Sequence, residues 1–275
     1  MTRARFTSAV VLIALTYFAL ISNVMFIAAV CLVTAGGLYE FFYMIKKKDV
    51  PIYSYVGIFI GLLIPISTFT RFELTKNWEL LFIVAGFLLI LLMQFSRQDN
   101  RNAILGLSTT LFGILYVAWF LSFIVKIRLL LPGVEGVKLV AFILLVTKSG
   151  DMGAYLIGTK FGRHALLPKV SPNKSVEGCI GALIVSAVVA VLFRSFLPAE
   201  INFPLWQVAL MGAFFCALGQ LGDLSESLIK RDCGVKDSGK LLPEFGGVLD
   251  MIDSLLFALP AFYLYISSTL KTVGG

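Results

Sequence analysis

The chain has 275 residues, 59% of them hydrophobic and only 14% charged, with 24 Phe. This balance excludes an ordinary soluble domain and points to an all-α polytopic membrane protein. The net charge of +7 does not indicate nucleic acid as a partner. In such a chain Lys and Arg first report which loops stay in the cytoplasm.

The opening MTRARFTSAVVLIALTYFALIS lacks a small-residue cleavage site and runs almost directly into a second apolar run, so it reads as a retained first helix over 6–21. A tight turn at Ser22-Asn23 leads to a helix over 24–45, which Lys46, Lys47 and Lys48 stop. Further apolar runs predict helices over 52–69, 78–95, 103–125, 137–157, 179–197, 205–230 and 247–269. About nine transmembrane helices result. They divide into an N-terminal group in 1–102, a middle group with a basic loop in 103–178, and a C-terminal group in 179–275. The helix over 205–230 is longer than a span needs, so its end should project from the bilayer.

With the N-terminus inside, fifteen Lys and Arg fall on cytoplasmic segments and seven outside, while Lys148 lies within a helix. The bias favours a cytoplasmic N-terminus and a C-terminus on the opposite side. It also puts the loops 158–178 and 231–246 on one face, toward the cytoplasm. No internal repeat is visible. Cys31, Cys179, Cys216 and Cys233 are scattered, with no CxxC pair, and read as small buried hydrophobes. Glu40, close to the lysine run, reads as a snorkelling or Lys-paired carboxylate.

Two constellations carry chemistry. In the first, Lys148 and Asp151 are three residues apart and share a helix face. They read either as a mutual salt bridge or as the wall of a polar cavity, the usual meaning of charges at membrane depth. The loop after them holds Lys160, Arg163, His164, Lys169 and Lys174, with Glu177 its only acid. Ser171-Pro172-Asn173 predicts a turn that fixes Lys174. Such a loop suits a polyphosphate. His164 reads as a phosphate neighbour or plain surface, not as a general base.

In the second, Asp223, Glu226, Ser227 and Lys230 form one stripe at i, i+3, i+4 and i+7. Asp250 and Asp253 share a face of the last helix. Four such acids, deep and unpaired, would cost insertion about 10 kcal/mol. Shallow depth offsets part of this, and a divalent cation would offset more. Mg²⁺ takes oxygen ligands from one or two carboxylates plus phosphates, so Asp223 and Asp250 are the expected ligands, one from each helix. Helix rise puts these two at depths differing by about 6 Å, so a stagger or tilt is required. Gly246-Gly247 at a helix start could let backbone N–H groups approach a phosphate.

Residues 227 to 253 resemble the signature of phosphatidate cytidylyltransferases, also called CDP-diacylglycerol synthases. That signature runs Ser-x-aliphatic-Lys-Arg, four residues, Lys-Asp-x-small, then Pro-x-His-Gly-Gly-aliphatic-x-Asp-Arg-x-Asp. Ser227, Lys230, Arg231, Lys236, Asp237, Gly239, Pro243, Gly246, Gly247, Asp250 and Asp253 match it. Asp151, Ser171, Asn173, Lys174, Glu177, Asp223 and Glu226 stand in stretches that are also family-like. Phe245 replaces the signature His, and Met251 the Arg.

The resemblance implies transfer of CMP from CTP to phosphatidic acid, giving CDP-diacylglycerol and pyrophosphate in phospholipid biosynthesis. It implies Mg²⁺, with a possible second cation, and a homodimer in a bacterial-type cytoplasmic membrane. Asp223, Asp250, Lys230 and Arg231 are the expected catalytic residues. Asp151, Ser171, Asn173, Lys174, Glu177, Glu226, Ser227, Lys236, Asp237, Gly246, Gly247 and Asp253 are expected to bind substrate. Other readings are a polyprenol kinase, an ether-lipid cytidylyltransferase, an ion-coupled transporter, or a scaffold without catalysis.

Overall fold

The computed structural model describes residues 22–70, 78–98, 100–239 and 246–274. The expected first helix, Lys240, Pro243 and Phe245 lie outside them. The described residues form eight helices in the expected order. They are α1 (Asn23–Lys46), α2 (Ser54–Thr70), α3 (Trp78–Phe95), α4 (Ala103–Leu130), α5 (Gly133–Phe161), α6 (Val176–Leu192), α7 (Leu205–Asp232) and α8 (Val248–Gly274). By length and apolarity α1, α4, α5, α7 and α8 are able to cross a bilayer, while α2, α3 and α6 are shorter apolar helices. The protein is an all-α membrane protein with one small exception. Ala165–Leu167 (β1) and Ser171–Ser175 (β2) pair antiparallel as a two-stranded ribbon between α5 and α6.

Helix ends differ from the apolar runs where charged residues are carried inside a helix. α4 continues to Leu130 because Lys126 can lie 5.7 Å over the Tyr263 ring and the buried Arg128 donates to the Gly133 carbonyl at 3.1 Å. α5 starts early, at Gly133, where Glu135 and Lys138 form an i,i+3 pair at 2.7 Å. Within α4, Ile114–Trp119 widens into a π-helical stretch, and Phe112 and Tyr116 stack there at 5.3 Å.

The chain divides into two compact units. The first is Met1–Val125 with Asp237–Met251, and the second is Lys126–Lys236 with Ile252–Gly275. In the first unit the core is aromatic. Phe41 and Phe42 are buried and meet edge to face at 5.5 Å. Added side-chain atoms at Gly57 or Gly113 would strike these rings, so the small residues let α2 and α4 close on α1. In the second unit Phe215 packs edge-on against Phe262 at 5.3 Å, and Phe262 stacks on Phe142 at 5.8 Å. α7 and α8 are close at Gly222, where a Cβ would collide with the Asp253 carbonyl. That absence of a side chain brings the acids of α7 beside the start of the second unit's part of α8.

Candidate active site

The acidic stripe of α7 meets α8 inside the second unit. Asp223, Glu226 and Asp253 each offer a carboxylate oxygen, and these atoms lie within 4.8 Å of one another. Glu226 is fully buried and Asp253 only 7% exposed, whereas Asp223 is half-buried. Each acid sits near a cation or a polar donor. Lys174 from β2 pairs with Asp223. Lys230 donates to Glu226 Oε2 at 2.6 Å, one turn along the same helix. The Ser254 N–H donates to Asp253 Oδ1 at 2.5 Å.

A second polar group continues this network. Lys148 and Asp151 do pair, at 3.1 Å. The buried Ser254 joins them, donating to Asp151 Oδ2 at 2.9 Å and accepting from Lys148 Nζ at 2.8 Å. An open cavity of about 240 Å³ lies alongside. Asp151, Asn173, Lys174, Ser175 and Asp223 give it a polar wall, and Tyr155, Leu166 and Leu224 an apolar one. Both readings of the Lys148–Asp151 pair therefore hold at once, since it is an ion pair whose acid faces a cavity.

The ribbon forms one side of this cavity. Ser171-Pro172-Asn173, expected as a turn, is the first part of β2, and the reversal comes before it. Pro172 sits in a strand paired on one side only, where its missing N–H costs no ladder bond. Ser175 caps α6, its Oγ accepting from the Gly178 N–H at 3.1 Å. Glu177, half-buried in the first turn of α6, accepts from the backbone N–H groups of Arg163 and His164 at 3.0 and 3.3 Å and meets His164 Nδ1 at 2.6 Å. The Arg163 N–H first, and the His164 ring next, hold its carboxyl down to about 2. Glu177 is thus the latch of the ribbon. At the other end of the ribbon Arg231 Nε donates to the Val170 carbonyl at 3.3 Å.

The sequence expectation joined Asp223 to Asp250, but the acids that gather in the second unit are Asp223, Glu226 and Asp253. The reason is helix rise. Asp253 lies three residues, about 4.5 Å, further along α8 than Asp250, which removes most of the anticipated mismatch in depth. Asp250 belongs to the first unit, where its Oδ2 accepts from Ser238 N at 3.1 Å, Ser238 Oγ at 2.9 Å and Gly247 N at 2.8 Å. The Gly247 N–H expected for a phosphate is therefore given to Asp250. Gly246 has φ +85°, a conformation that favours glycine. Ser227 is half-buried on α7, while Lys236 and Asp237 are exposed in the loop after it.

Glu40 also departs from expectation. It is 1% exposed and bonded into the Ser238–Leu249 region rather than snorkelling. Sequence reasoning also missed Ser254, Ser238 and the cavity residues Gln220 and Cys179. Ser238 fills an unspecified position of the signature and the other three stand in no motif, so only the fold gives them a role.

Residues 2–269 match the model of the Cytidylyltransferase family. The chain belongs to this family. Among similar proteins, the phosphatidate cytidylyltransferase of Haemophilus influenzae is 34% identical, the alignment covering 96% of this chain and 99% of that protein. The one of Staphylococcus haemolyticus is 35% identical over 79% of each. The one of Staphylococcus saprophyticus is 39% identical over 62% of this chain and 63% of its own length, so that match spans a little under two thirds of the relative.

Proposed function

We propose that this protein transfers CMP from CTP to phosphatidic acid, releasing pyrophosphate and forming CDP-diacylglycerol. The observation that carries the reading is the double role of Asp223. It belongs to the three-acid group and also lines the cavity, where Lys174 pairs with it. Acid and phosphate-binding cation thus meet at one wall, as a metal-dependent nucleotidyl transfer requires.

The family implies a divalent metal, and the residues fit one. Three hard oxygen donors converge, two of them on buried side chains. A buried group of carboxylates is costly without a cation. Asp223, Glu226 and Asp253 are the proposed ligands for Mg²⁺, and Asp250, in the first unit, is proposed as a further residue needed for turnover. Mg²⁺ held by the three acids would supply positive charge to the phosphoryl oxygens.

The chain's own side chains do the rest. Lys174 passes from Asp223 to the triphosphate when CTP enters, and Asn173 and Ser175 bond the same phosphates. Lys148, fixed by Asp151 and Ser254, supplies charge at the depth of the lipid headgroup. Lys230, bonded to Glu226, and Arg231, bonded to the Val170 carbonyl, add positive charge beside the acids. A phosphate oxygen of phosphatidic acid forms the new bond to the α-phosphorus of CTP, and the bond from that phosphorus to the bridging oxygen breaks. The nucleophile is already anionic, so positioning dominates and no strong base is needed. The apolar wall at Tyr155, Leu166 and Leu224 receives the glycerol end of the lipid.

The proposed topology is nine spans with the N-terminus inside, in a bacterial-type cytoplasmic membrane, with the site facing the cytoplasm. The positive-inside bias supports it. A homodimer is also proposed, on the family resemblance. The test is purified protein with Mg²⁺, phosphatidic acid and CTP labelled at the α- or the γ-phosphorus. The proposal expects α-label in a CDP-lipid. Lipid carrying γ-label would instead make the protein a kinase, and no lipid product would overturn the reading.

A further inference from the structure

We infer that Glu40 of α1 is a positioning residue for Asp250, in the first turn of α8. This rests on the cytidylyltransferase reading, in which Asp250 takes part. Glu40 Oε2 accepts from the Leu249 N–H at 2.9 Å and from Ser238 Oγ at 3.1 Å. These contacts are made 209 and 198 residues away in sequence. Leu249 is in the first turn of α8, where the backbone N–H groups lack partners within the helix. A carboxylate from α1 thus caps α8, and its charge suits the positive end of the helix.

The same serine holds Asp250. Ser238 Oγ lies 3.1 Å from Glu40 Oε2 and 2.9 Å from Asp250 Oδ2, and its N–H donates to Asp250 as well. One hydroxyl has one proton to donate. It is therefore shared between two acids, and moving either shifts the other. The backbone is shaped around this arrangement. A Cβ at Gly239 would come within 2.5 Å of Glu40 Cδ, and one at Gly247 within 2.8 Å. The glycines of the signature loop leave room for the Glu40 carboxyl as well as for a turn.

The arrangement costs something. Glu40 is 1% exposed, and its Oε1 is buried with no hydrogen-bond partner among the described residues. A cap alone could be supplied by a local Ser or Asn without burying a charge. What a carboxylate from α1 adds is a link from the first described helix to Asp250, by way of Ser238. Its role is to keep the Asp250 carboxylate in the orientation used for turnover.

The test compares Glu40→Ala, Glu40→Gln and Ser238→Ala in the full-length protein in detergent. Two readouts are taken: steady-state CDP-lipid formation and amide hydrogen exchange. Glu40→Ala should lower kcat roughly 100-fold, the scale of loss for a small misplacement, with KM for CTP changed less than about 2-fold. Glu40→Gln keeps an acceptor oxygen and should recover most of that loss. Exchange should speed at Ser238, Gly247 and Leu249 in Glu40→Ala while α7 stays protected. Ser238→Ala should reproduce the kcat loss should Glu40→Ala not fold. Unchanged exchange at those three amides, or Glu40→Gln as impaired as Glu40→Ala, would overturn the inference. An inactive wild type would instead refute the cytidylyltransferase reading, and the exchange result would still decide whether Glu40 holds the loop.

Discussion

Replacing Asp253 by Asn keeps the shape of the side chain and removes one charge from the three-acid group. The candidate ligand oxygens lie within 4.8 Å of one another. At an effective dielectric near 20, two ionised carboxylates at that separation repel by about 3.5 kcal/mol, so three pairs amount to about 10 kcal/mol. The substitution deletes two of the three pairs. Lys174 on Asp223 and Lys230 on Glu226 already offset much of that repulsion, so the metal-free protein should gain only about 1–2 kcal/mol. For a chain of this size that is a rise of about 2–4 °C in Tm in detergent with EDTA. Saturating Mg²⁺ should behave oppositely. It should stabilise the wild type by about 2.7 kcal/mol at a hundredfold excess over Kd, and the Asp253→Asn variant hardly at all. Turnover should fall roughly 100-fold or more, since loss of a ligand exceeds the usual cost of losing a group behind one. A variant with a normal Mg²⁺-induced Tm shift and normal turnover would refute the assignment of Asp253.

Other consequences are separable. Lys230→Met leaves Glu226 buried without that cation and should destabilise by about 3–5 kcal/mol, with Glu226→Gln in the same chain restoring much of it, as read from thermal unfolding. Gly246→Ala forces a side chain onto a backbone at φ +85° and toward Asp250 Oδ2. It should cost about 1–3 kcal/mol and lower turnover, checked by unfolding and CDP-lipid assay. The folded pKa of Glu177 is depressed, from 4.5 to about 2. Its contribution to ribbon order is therefore fully present above about pH 4.5 and is lost as pH falls toward 2. Proteolysis within 163–175 should not change between pH 6 and 9 in the wild type, and should accelerate in Glu177→Gln throughout that range.

The order of the helices was legible because most apolar runs are bounded by charge, as at Lys46–Lys48. Candidates for a site were legible because acids and lysines are otherwise scarce in these helices. Which neighbouring acids gather was not legible. Asp250 and Asp253 share a helix face, and what separates them is helix stagger and the close approach at Gly222, neither of which a pattern encodes. The ribbon was missed because Ser-Pro-Asn has turn chemistry, while its strand state depends on pairing with Ala165–Leu167. Glu40 was misread because a lone acid beside three lysines suggests a surface pair. Its partners, Ser238 and Leu249, are some 200 residues away.

The most direct test of the central claim is a crystal structure of the protein with Mn²⁺ and a non-hydrolysable CTP analogue, with anomalous scattering to locate the metal. The account predicts a peak bonded to carboxylate oxygens of Asp223, Glu226 and Asp253, with the triphosphate beside Lys174. A peak bonded to none of these three acids, or a triphosphate bound away from the Asp151–Asp223 cavity, would contradict it.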